Sequence, residues 1–210
     1  MTTAAALARS EPAVTPTAGG DEYDGIWRLS VDQYHAMIQA GILTDDDPVE
    51  LLEGLLVQKM PKNPAHVTAK RLLRKAVERI LPDGWMVDTE DPVTTSDSEP
   101  EPDVAVVRGT ERDFAQRHPG PTDAILIAAV ADSSLSRDRG RKKRLYARAK
   151  VREYWVVNLV NRQVEVYSDP TGPGKKPDYL QHQVYAAADT IPVVLDGREV
   201  GRIAVADILP

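Results

Sequence analysis

Two stretches of this chain carry the residues best suited to chemistry. The first is Glu99-Pro100-Glu101-Pro102-Asp103, where carboxylates alternate with prolines ahead of the short apolar run Val104 to Val107. Prolines keep such an approach extended. In extended chain Glu101 and Asp103 share parity, so both can face one hard, oxygen-seeking cation. A solvated acidic turn would use the same residues.

The second is the unit at 124–157, AILIAAVADSSLSRDRGRKKRLYARAKVREYWVV. A buried run delivers the chain to a serine-rich turn, and a helix then carries Arg137, Arg139, Arg141, Lys142, Lys143, Arg144 and Arg148. Cations at that density can track phosphates, with Arg139, Arg141 and Lys143 as nucleic-acid contacts. The alternative is a solvated helix face, with Asp138 and Lys142 as an ordinary i,i+4 pair. His66, opening another helix, suits a proton carrier, a phosphate contact or a plain surface position.

Bulk composition narrows the classes. The 210 residues, 42% hydrophobic, suffice for one well-buried domain. Absence of cysteine excludes thiolate nucleophiles, disulfides and cysteine-bound zinc. A formal charge of -6 means that a nucleic-acid partner must meet a local basic face. Residues 1–24 read as a disordered leader: they lack a basic n-region, and Arg9 and prolines break their apolar run. No apolar run approaches the roughly 20 residues that span a bilayer. The expectation is a cytoplasmic protein with no membrane partner.

The elements that must position these groups follow from periodicity. Ser30 can cap a helix bearing Tyr34, Met37 and Ile38, stopped near Gly41. VELLEGLLVQKM reads as a hairpin turning at Glu53-Gly54, and 65–81 as an amphipathic helix. Extended chain from Trp85 to Thr95, a strand at Val104 to Val107 and a loop with one helical turn between Arg108 and Thr122 come next. AILIAAVA has the length and uniform apolarity of a central strand covered on both faces. A basic helix at 137–149, the strands EYWVVNLV and QVEVYSD, with Tyr146 and Trp155 reading as core residues, and short C-terminal strands complete the chain.

The succession Trp27-Arg28-Leu29, Tyr34, Met37, Gly41-Ile42-Leu43, Glu50-Leu51, Glu53-Gly54, Met60-Pro61, His66, Glu99 to Asp103, Val130 to Ser134, Asp138-Arg139, Lys142, Tyr146-Ala147 and Glu153-Tyr154-Trp155 resembles the Uma-two family of putative restriction endonucleases, within the PD-(D/E)XK nuclease superfamily. The likeness spans roughly 25–210. It implies an α/β domain, a restriction-endonuclease-like mixed sheet flanked by helices, and a magnesium- or manganese-dependent phosphodiesterase site acting on DNA. On that resemblance Asp103 is the catalytic metal ligand with Glu101 beside it, Lys142 takes the basic role, and Glu50 is an accessory carboxylate.

One position departs from the pattern. Where the family reads Glu-Val-Ala-Asp-Ser-Ser, this chain reads Ala129-Val130-Ala131-Asp132-Ser133-Ser134. A metal ligand is thereby lost, which leaves the cation weakly bound or absent unless Glu101, Asp97 or Glu50 compensates. Two functions stay open: a metal-dependent endonuclease with weakened or lost activity, and a non-catalytic nucleic-acid-binding or interaction module. Homodimerisation is an expectation by analogy with related nucleases.

Overall fold

A computed structural model describes residues 25–210, so the expected leader lies outside the described residues. Helix α1 (Val31–Gln39) opens with a capping box: Ser30 Oγ accepts from the Gln33 backbone N–H, and Gln33 Oε1 accepts from the Ser30 backbone N–H. Strands β1 (Val49–Leu52) and β2 (Leu55–Gln58) form the hairpin turning at Glu53-Gly54. Both turn residues have positive φ, 54° and 76°, as a two-residue turn between twisted strands requires. Only a glycine fits at 54, since a Cβ there would lie 2.6 Å from that of Arg28.

Helix α2 (Pro64–Glu78) starts one residue earlier than the periodicity implies, because Asn63 caps the His66 amide at 2.9 Å and Pro64 occupies the first turn. Strands β3 (Trp85–Asp88), β4 (Val104–Arg108), β5 (Ala124–Ala131), β6 (Glu153–Asn158), β7 (Gln163–Pro170) and β8 (Tyr179–Ala186) build one six-stranded sheet in that order. Only β5 and β6 pair in parallel. A parallel pair needs a long crossover, and residues 135–148 supply it. This crossover is α3 (Leu135–Arg137), a π turn (Asp138–Lys142) and α4 (Lys143–Arg148) in succession. The basic helix therefore exists, but with a widened turn in its middle.

Two apolar cores sandwich the sheet. On one face Leu73 and Val77 of α2 meet Val106, Val130 and Trp155, joined by the hairpin of β9 (Thr190–Leu195) with β10 (Arg198–Ala204). On the other, Leu145 and Tyr146 of α4 lie over Val107, Ile127, Ala129 and Tyr154. Strand β5 is buried along nearly its whole length, which explains its lack of alternation. Among the described residues no helix is long and apolar enough to cross a membrane.

Candidate functional site

A polar pocket opens where the start of α2, the approach to β4, the end of β5 and the 135–148 helix converge. Asp103 stands at its centre. One carboxylate oxygen accepts from the Val130 amide at 2.8 Å, and the other lies 2.7 Å from His66 Nε2. Burial works to raise the Asp103 pKa, but the His66 bond, the Val130 N–H and nearby Lys62 together hold it below the usual carboxylate range. His66 owes its place to the Asn63 cap, and Asn63 also donates to Asp132 at 2.6 Å.

The crossover helix contributes a stripe. Ser134, Asp138, Lys142 and Tyr146 recur every fourth residue, and all four line the pocket. That spacing puts them on one helix face. Lys142 reaches Glu50 of β1, with Nζ 3.0 and 3.1 Å from its two oxygens. Glu50, 2% exposed, is thus a buried partner rather than the exposed strand glutamate that its alternation alone would allow. Asp138 accepts from Ser134 Oγ at 2.6 Å, and burial raises its pKa against the opposing pull of Ser134 and Lys142.

The remaining candidates are placed differently. Glu101 lines the pocket beside Asp103, but Lys59 holds it at 2.6 Å. Asp97 bonds Arg148 at 2.8 Å, outside the pocket lining. Arg139 forks onto Glu165 of β7, Arg141 lies 3.8 Å from Glu53, and Lys143 lies 2.7 Å from Asp178 and over the Tyr167 ring. These three line other surfaces than the pocket, where the basic lining comes from Lys59, Lys62, His66, Arg137 and Lys142. Arg137 entered the sequence reading only as one cation of the helix. It closes the rim by donating to the Gln58 carbonyl at 3.0 Å.

Residues 31–205 match the family model described as "Uma2: Putative restriction endonuclease". The chain belongs to the Uma2 family. A crystal structure of a putative nuclease belonging to DUF820 from Anabaena variabilis matches this Uma2 chain with a TM-score of 0.65 at 15% identity, covering 86% of this chain and 97% of that one. The likeness shows the fold: a mixed α/β arrangement around a six-stranded mixed sheet. No curated protein matches.

The Uma2 resemblance implies a divalent cation held between position 103 and position 129. Ala129, 6% exposed, lines the pocket with a methyl group, so this strand-borne pair offers one carboxylate rather than two. Glu50 and Glu101 are each already neutralised by a lysine. Among the described residues no three histidines or carboxylates are grouped to hold a metal ion. The family's own ligand pair does not fit this chain.

The Tyr146 hydroxyl is buried, lines the pocket and has no hydrogen-bond partner among the described residues. Burial drives its pKa well up, reinforced by the charges of Glu50, Asp138 and Asp103. Sequence reading places Tyr146 in the core, which is correct for its ring. Its four-residue spacing from Lys142 and Asp138 was the available signal that its hydroxyl belongs to the pocket.

Proposed function

We propose that this chain acts on nucleic acid as an endonuclease and that the phosphodiester enters the pocket around Asp103. The observation that carries the reading is the convergence of Lys59, Lys62, His66, Arg137 and Lys142 on one carboxylate-lined pocket. Cations so placed offset phosphate charge on binding and the further charge that develops on the phosphoryl oxygens during cleavage. Lys142, fixed on Glu50, is positioned before substrate arrives, so little reorganisation accompanies binding. His66, oriented by Asp103, suits proton delivery to the departing oxygen.

Ala129 favours a second reading, in which the domain binds nucleic acid without cutting it. Supercoiled plasmid and single-stranded DNA, each with magnesium or manganese, separate the two. The endonuclease reading expects cleavage that falls at least about 100-fold in Asp103→Asn, the scale on which loss of one preorganised charge-stabilising group is felt. Salt-dependent binding without cleavage, with cleavage gained in Ala129→Glu, establishes the binding module instead. Neither binding nor cleavage in any of the three proteins overturns both.

A further inference from the structure

The space around Asp103 is small. About 80 Å³ is open there, against about 570 Å³ in a second cavity that begins at Lys59 and Glu101, the two residues that line both. At roughly 30 Å³ per water, the first takes a phosphoryl group and little else, so whatever that phosphate carries must lie beyond it. The second has the size that takes a whole organic ligand.

One face of α1 builds this second cavity. Tyr34 and Ile38 are one turn apart, and His35 stands beside them, its ring centre 6.2 Å from that of Tyr34. Leu43, Val49 and Pro92 add apolar wall. The His35 ring is held in place: its Nε2 lies 2.9 and 2.8 Å from the two oxygens of Glu99, which is 3% exposed and accepts from the Thr94 hydroxyl at 2.6 Å. The result is a rigid, partly aromatic slot. Two polar groups at it are unengaged. Tyr34 is 8% exposed, yet its hydroxyl makes no hydrogen bond among the described residues. Burial, and then the charges of Glu99, Glu101 and Glu50, raise its pKa, which keeps it protonated and able to donate. Glu101 gives Oε1 to Lys59, and its Oε2 accepts no hydrogen bond among the described residues.

Charge decides what such a slot accepts. Asp45, Asp47, Glu99 and Glu101 face one lysine and two histidines, so a second phosphate is repelled. A flat, neutral group with N–H donors instead meets aromatic and apolar walls and an open carboxylate oxygen. Cytosine has that chemistry, since its N4 amine donates to a glutamate, whereas thymine turns an acceptor, O4, to the same place. A base within a duplex reaches such a slot only by leaving its stack.

We propose that this cavity receives the unstacked base of a nucleotide next to the phosphate at Asp103, so that the substrate is single-stranded or locally unpaired DNA, with Tyr34 Oη and Glu101 Oε2 favouring amino-bearing bases over thymine. Lys59 then stands at the junction of phosphate and base. The neighbouring phosphate rests on the endonuclease reading, but binding separates the two sites.

Fluorescence anisotropy in EDTA, where no metal-dependent cleavage intervenes, compares a labelled short strand with its duplex, and oligo-dC with oligo-dT. The strand is expected to bind at least about fivefold tighter than the duplex, and oligo-dC tighter than oligo-dT by a similar factor. Ile38→Trp, which fills the slot from a position 45% exposed, should remove both preferences. Tyr34→Phe should shrink the oligo-dC advantage and leave the strand preference. Thermal unfolding shows that the variants fold. Equal binding of strand and duplex, or a strand preference that folded Ile38→Trp retains, overturns the base site; the endonuclease reading survives that result if Lys62→Ala weakens binding. A strand preference abolished by Ile38→Trp but with affinity untouched by Lys62→Ala keeps the base site and removes the phosphate from the Asp103 pocket. No binding of either DNA overturns both.

Discussion

Two glutamates on neighbouring strands show how partners, rather than burial alone, decide the state of a charge. Burial works to raise both. Glu165 is nonetheless held down to about 2, because Arg139, Asn158, Tyr167 and Gln163 all donate to it. Glu153 is pushed up to about 7 by burial, with the Arg152 charge opposing. The signs for stability are opposite. The contribution of Glu165 is present above its unfolded value of 4.5 and lost as pH falls toward about 2. Glu153 favours folding below 4.5 and loses that contribution as pH rises through about 7. Glu153→Gln is therefore expected to stabilise the protein by about 1–2 kcal/mol near pH 8, discounted for partial exposure, and by almost nothing near pH 4. Glu165→Gln is expected to cost about 2–3 kcal/mol at neutral pH, with the deficit closing in acid. Calorimetry across pH checks both, and a Glu153→Gln shift independent of pH would contradict the assignment.

Asn63 links local chain to site more tightly than any other cap. Its oxygen caps α2 and its amide nitrogen holds Asp132, so the helix start and the end of β5 are tied by one side chain. Asn63→Ala is expected to cost about 1 kcal/mol, a fall of about 2–4 °C in Tm for a chain of this size. It should also loosen His66, so plasmid cleavage or DNA binding should fall by more than the lost stability explains. An equal fall in Asn63→Asp, which keeps the cap oxygen, would locate the effect in the Asp132 contact. The elements themselves were largely legible: AILIAAVA is β5 to the residue, the Glu53-Gly54 turn stands, and the Pro-Asp approach leads into β4. Less legible was what the crossover helix faces. Four-residue spacing announces a stripe but not its direction, so Asp138 read as a surface ion-pair member and Tyr146 as core. Glu50 finds Lys142 across 92 positions, a pairing that no local pattern encodes.

Charge over the entire domain follows the same logic. The helix carries seven cations between Arg137 and Arg148, yet the chain as a whole is at -6. Much of the helix's charge is answered by acids with little exposure: Glu53 takes Arg141, Arg144 and Arg148, while Glu165 takes Arg139. The helix is thereby pinned to the sheet and the β1–β2 turn, and it presents a far weaker field than its sequence suggests. At the pocket rim, Lys59 and Lys62 answer Glu101 and Glu90, which are more exposed and better screened, so these lysines can exchange partners for a phosphate. DNA binding should therefore release few counterions. A plot of log affinity against log salt is expected to have a slope of about -2 to -3, rather than the roughly -6 that seven open helix cations would give. Lys62→Ala should flatten that slope by about 1, and Arg141→Ala with Lys143→Ala should leave it nearly unchanged. The reverse ranking, with the slope collapsing only in the helix double variant, would move the interface from the pocket to the outer face of the helix and separate binding from the Asp103 site.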